Sequence, residues 1–147
     1  MAAERKAVDI VQELIETCRE MRQLYRDAAT QVSDPELRAF FSEQCVERGE
    51  FASQLAQKMA HALTTSETTG VTNSSTRGIA SQQGDPKVLL AAVEKREAFA
   101  RKKYEAAVQQ DLPDDLPEIV AQQCEAIKAA HDHLKLIQER MLREQAA

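Results

Sequence analysis

Glutamates and one histidine recur in this chain at spacings that place them on single helix faces, the pattern of carboxylate chemistry. Glu16 and Glu20, Glu47 and Glu50, and Glu94 and Glu97 are each about one helical turn apart. His131 interrupts an otherwise apolar stripe further on. A di-iron or manganese centre in a helical bundle takes a Glu from each of two helices and a Glu-x-x-His pair from each of the other two. The carboxylates bridge and neutralise the two cations. Glu16, Glu47, Glu50, Glu94, Glu97 and His131 are therefore the candidate metal ligands. The match is partial: Lys128, a cation, stands three before His131, residues 47 and 50 form Glu-x-x-Glu, and His61 lies near the end of its segment.

The same positions support a second reading, a buried polar network formed by Gln44, Arg48, Glu97, Gln123 and His131. Each interrupts an apolar stripe in mid-helix, and a buried polar group needs a partner. The expected partners are Glu97 for Arg48, Gln123 for Gln44 and a carboxylate for His131. In His131-Asp132-His133, neighbours on a helix point about 100° apart, so the triplet cannot grip one ion. His131 faces inward, while Asp132 and His133 face solvent. Nucleophilic catalysis has no support. No convincing base accompanies Cys18, Cys45 or Cys124, and no glycine-rich phosphate loop is present. The basic run Lys95-Arg96 and Arg101-Lys102-Lys103 is interleaved with glutamates and reads as a solvated face.

Four helices must position these groups. Apolar residues recur at helical period over about 4–32 (Val11, Leu14, Cys18, Met21, Tyr25, Ala28), 34–62 (Leu37, Phe41, Phe51, Leu55), 86–110 (Leu89, Val93, Ala100, Tyr104) and 115–145 (Leu116, Val120, Ile127, Leu134, Ile137). Prolines and acidic caps mark the starts. Ser33-Asp34-Pro35-Glu36 reads as a capping box with Ser33 at the N-cap. Asp85 with Pro86, and Asp114-Asp115 with Pro117, offer similar chemistry. The short first and last connections make two antiparallel helix hairpins. Residues 64–84 hold six Thr, four Ser and three of the four glycines, so 63–85 reads as a crossover linker between the hairpins. The expected fold is an all-α, ferritin-like four-helix bundle with a long crossover between its second and third helices, one domain over 1–147. A weak repeat agrees. A shift of 79 residues aligns Arg22, Tyr25, Ala28, Gln31, Leu37, Gln44, Cys45 and Leu55 with Arg101, Tyr104, Ala107, Gln110, Leu116, Gln123, Cys124 and Leu134.

Composition excludes several classes. The net charge of −5 argues against a nucleic-acid partner, which requires a basic face. No apolar run reaches the roughly 18 residues that a membrane helix requires, and acidic residues within the N-terminal pattern are unlike a signal peptide. An odd number of scattered cysteines reads as reduced thiols, and hence a cytoplasmic protein.

Several short patterns carry a family likeness: Tyr25-x-x-Ala28-Ala29, Phe41 with Glu47-Arg48-x-x-Phe51, Leu89-Leu90 with Glu94-x-x-Glu97 and Tyr104, and Gln123 with His131-Asp132. Over about 10–140 the chain resembles a bacterial family of unknown function grouped with ferritin-like bundles, beside rubrerythrin-type domains. It departs from that pattern at Thr30 and Ala98, where the family carries carboxylates, and its crossover is shorter. The resemblance implies the fold and a stress-linked role, without a reaction. The leading expectation is a non-catalytic bundle that forms a homodimer or other homo-oligomer, or binds a partner, and uses no cofactor. The alternative is a di-iron or manganese carboxylate oxidase or peroxide-handling enzyme. A third reading, a ligand or sensor module, requires a pocket between the helices.

Overall fold

The computed structural model describes residues 2–62 and 85–146, with side chains over 6–60 and 85–144. These form four α-helices and, among the described residues, no strand: α1 (Ala2–Gln31), α2 (Pro35–Ala62), α3 (Pro86–Val108) and α4 (Leu116–Ala146). Apart from Asp85, the expected crossover over 63–85 lies outside the described residues, as does the side chain of His61.

Local chemistry sets the helix starts. The Asp34 carboxylate accepts the Leu37 backbone N–H at 2.9 Å, so Asp34 is the N-cap of α2 and Pro35 fills the first position. This corrects the expected Ser33 cap by one residue: the capping oxygen must sit just before the first helical residue, and Pro35 is that residue. Asp85 caps α3 as expected, accepting from Lys87 N–H at 3.0 Å ahead of Pro86. α3 ends at Val108, because the Gln109 N–H turns back to the Ala106 carbonyl and the Gln110 N–H to the Ala107 carbonyl, the tighter bonds of a closing turn. Asp114 takes a left-handed φ of 53° in the turn into α4, a conformation that Asp tolerates better than most residues.

Contacts fix the running directions. α1 packs most extensively on α2 and α3 on α4; α1 also packs along α3, and α2 more lightly on α4. The connection at 32–34 is too short for anything but an antiparallel α1–α2 pair. Along α1 and α3, Glu13 pairs with Lys103 and Glu20 with Arg96, so residue numbers rise on one helix as they fall on the other. Along α2 and α4, Glu36 meets Arg140, Phe40 stacks on His133, Gln54 meets Gln123 and Lys58 meets Asp115, again antiparallel. It follows that α2 and α3 face each other across the diagonal and point the same way.

The interior holds two apolar clusters. One gathers Val11, Leu14, Ile15, Leu55, Val120 and Ile127; the other gathers Met21, Phe41, Leu89, Leu90, Val93 and Leu134. On α2, Arg48 falls between the two. Aligned apolar positions of the sequence repeat are buried in both halves: Tyr25 and Tyr104, Ala28 and Ala107, Leu37 and Leu116, Leu55 and Leu134.

Candidate functional site

At the middle of the bundle Arg48 of α2 reaches across the diagonal to Glu97 of α3. Its Nη1 donates to Glu97 Oε1 at 2.8 Å, and its Nη2 donates to Glu97 Oε2, a two-pronged ion pair with both side chains at 0% exposure. Nη2 also donates to Gln44 Oε1 at 3.1 Å, one turn earlier on α2. The guanidinium carbon lies 5.4 Å from the Tyr25 ring centroid, within cation–π range. Burial alone works against the Arg48 charge. The Glu97 carboxylate outweighs it, and the guanidinium holds its proton more tightly than usual. Tyr25 is buried beside the pair. Burial, reinforced by the Glu97 charge, pushes its phenol well above the usual range.

A second chain of bonds joins all four helices below this pair. Tyr104 of α3 donates its hydroxyl to Gln123 Oε1 of α4 at 2.6 Å, and Gln123 Nε2 donates to Gln54 Oε1 of α2 at 3.0 Å. Cys18 Sγ of α1 lies 3.1 Å from the Tyr104 oxygen. The Tyr104 proton is directed to the amide oxygen, so the thiol is the donor in that contact. Burial pushes the Cys18 thiol up to about 11, although the Tyr104 bond and the Arg48 charge pull it down. The thiol is therefore neutral at ordinary pH.

The third group lies between α3 and α4. His131 Nε2 is 2.7 Å from Glu94 Oε2, and its Nδ1 is 3.2 Å from Arg101 Nη1. A guanidinium only donates, so Nδ1 is the acceptor and Nε2 carries the hydrogen given to Glu94. Arg101 also reaches Glu105 at 3.2 Å and Asp132 at 3.5 Å.

Residues 6–110 match a family described as a domain of unknown function, DUF2383. The chain belongs to that family. No curated protein matches it. The DUF2383 segment contains α1, α2 and α3 from Lys6 onward, and with them Cys18, Tyr25, Arg48, Glu97 and Tyr104. It ends before α4, which supplies Gln123 and His131. The matched span thus starts close to the expected 10 and stops well short of the expected 140.

In this DUF2383 protein the sequence-derived candidates fall into separate places. Glu97 is bound to Arg48 and Glu94 to His131, while Glu16 and Glu50 are exposed and Glu47 is half-buried. Among the described residues, no group of three or more His, Cys, Asp or Glu side chains is gathered as a metal ion requires. Gln44 and Gln123 do not face each other. Gln123 is level with Gln54, and Gln44 lies ten residues, about 15 Å, further along α2. Asp132 and His133 are exposed, although the His133 ring stacks on Phe40 with centroids 4.8 Å apart. Arg101 is not part of a purely solvated basic face, because it reaches His131. Sequence reasoning assigned no polar role to Tyr25, Tyr104, Cys18 or Gln54. The available signal was the pair of tyrosines, each a polar tip on an apolar stripe, at matching positions of the repeat.

Proposed function

We propose that this chain is a non-catalytic, ferritin-like bundle whose centre is held together by a guanidinium–carboxylate pair and whose work is done by association, as a homo-oligomer or with a protein partner in the cytoplasm. The observation that carries this reading is the fully buried Arg48–Glu97 pair. A di-iron or manganese centre would draw on the Glu97 carboxylate, and Arg48 already neutralises it with a permanent positive charge that repels a metal cation. Glu16 and Glu50, which such a centre would also need, are exposed.

Helix directions favour the crossover arrangement. With α2 and α3 running the same way, the C-terminal end of α2 and the N-terminal end of α3 lie at opposite ends of the bundle, about 35–40 Å apart by helix length. The 22 residues between Ala62 and Asp85 can span about 70 Å when extended. Self-association is favoured by large apolar side chains left in solvent, Val88 and Phe99 on α3 and Leu136 and Leu142 on α4, with Phe99 54% and Leu136 62% exposed. The unpaired Cys18, Cys45 and Cys124 suit a reducing compartment. No described helix is long and apolar enough to cross a membrane.

The test is metal content and mass measured on one preparation. Protein produced with iron and manganese in excess should carry less than roughly a tenth of an equivalent of either after dialysis, and should sediment as a dimer or larger species. Phe99→Glu should shift it toward the monomer. One or more equivalents of retained iron or manganese per chain would reverse the reading in favour of the oxidase, and a strictly monomeric wild type would remove self-association.

A further inference from the structure

Two polar groups at the bundle centre remain once the bonds above are assigned. Arg48 Nε and Tyr25 Oη are both buried; Nε meets no hydrogen-bond partner among the described residues, and Oη, although close to Glu97 and Arg48, makes no well-formed hydrogen bond to either. They belong to neighbouring side chains, since the guanidinium lies over the Tyr25 ring at 5.4 Å. The Arg48 fork is committed: Nη1 and Nη2 serve Glu97, and Nη2 also serves Gln44. The Nε–H lies on the same edge of the planar group as the Nη2–H that serves Gln44, yet it reaches none of these acceptors in bonding geometry. Buried donors without acceptors are rare in native interiors, because folding strips them of solvent and gives nothing in return.

We propose that Arg48 Nε and Tyr25 Oη together bind one internal water molecule. The chemistry of the two groups selects the occupant. Nε–H can only donate, whereas a phenol can donate or accept. A water oxygen accepts from Nε–H, and the same molecule has hydrogens for Tyr25 Oη and for the Glu97 carboxylate close by. An anion would lie against Glu97 and a cation against Arg48, so each meets a like charge. An apolar occupant would satisfy neither group. Water alone matches a donor, a two-way partner and a carboxylate at one position. It extends the α2–α3 ion pair to α1, so that three helices share one polar connection between the two apolar clusters.

The experiment uses the full chain. A crystal structure at a resolution that shows ordered solvent should place one peak about 2.7–3.2 Å from both atoms. In solution, a rotating-frame water cross-peak should appear at the Arg48 Nε–H. Tyr25→Phe removes a single oxygen and keeps the ring, so the bundle should fold with its Arg48–Glu97 pair intact. In that variant both signals should be lost. The proposal fails if Tyr25 Oη bonds directly to Glu97 with no solvent peak beside Arg48 Nε, or if peak and cross-peak persist unchanged in Tyr25→Phe.

Discussion

The Arg48–Glu97 pair has asymmetric energetics that a mutation series will expose. Paired, the two charges offset much of each other's desolvation; alone, either is an uncompensated charge in an apolar interior. Glu97→Leu strands the guanidinium and should cost about 3–5 kcal/mol in urea unfolding at pH 7. The double variant Arg48→Met with Glu97→Leu removes both charges and should recover most of that loss. If the double variant is as unstable as the single one, the pair is not the source of the penalty. A second prediction concerns pH. The Cys18 thiol ionises near its ordinary 9.0 in the unfolded chain and near 11 in the folded one, because burial opposes the thiolate. The folded state holds that proton more tightly, so the contribution is fully present below pH 9 and is lost as pH rises through 11. The difference between the folded and unfolded thiol corresponds to about 3 kcal/mol at most. Burial also raises Tyr25 and Tyr104, which deepens the loss above pH 10. Cys18→Ala isolates the thiol: its stability should fall less steeply between pH 9 and 11 than that of the wild type, measured by urea titration at several pH values. Much of this residue-scale picture was legible in advance. Arg48, Glu97 and His131 stood out because charge on an apolar stripe demands a partner. The pairing of Gln44 with Gln123 was misread because equivalent positions in a repeat need not be level in space. Tyr25 and Tyr104 passed as ordinary core residues because a phenol reads as apolar by its ring.

At the scale of the helices, the sequence signal was strong where it rested on periodicity and weaker where it rested on one residue. The stripes of Val11, Leu14, Cys18 and Met21, or of Val120, Ile127 and Leu134, repeat every three to four residues, and a surface helix has one way to bury such a pattern. The start of α2 depended on choosing between two adjacent capping residues, Ser33 and Asp34, both acceptable by type. The bond from Leu37 N–H to Asp34 makes the choice and gives a sharp test. Asp34→Ala should lower stability by about 1 kcal/mol, as should Asp85→Ala at α3, whereas Ser33→Ala should change it by less than about 0.5 kcal/mol. Thermal or urea unfolding of the three variants decides it: equal losses at Ser33 and Asp34 would restore the capping box.

For the whole molecule, the boundary of the matched family segment and the boundary of the folding unit are different things. The match stops at residue 110, and α4 begins at Leu116. Yet α4 buries Leu116, Ile119, Val120, Ile127, Leu134 and Ile137, contributes to both apolar clusters, and closes the polar chain through Gln123. At about 1.5–3 kcal/mol for each large buried apolar side chain, those residues represent on the order of 10 kcal/mol, comparable to the entire stability of an ordinary domain. Three helices from this bundle would open both apolar clusters to solvent and leave Tyr104 without Gln123 and Arg101 without His131. A chain truncated after residue 110 should therefore lose cooperative thermal unfolding as a monomer, with collapsed dispersion in its amide NMR spectrum, or regain order only by assembling with further copies that cover the exposed groove. The full chain, measured alongside, should unfold in one transition. A monomeric fragment that melts sharply at a temperature near that of the full chain would mean that α1, α2 and α3 close a core by themselves, and that α4 is an addition to the fold and no part of its foundation.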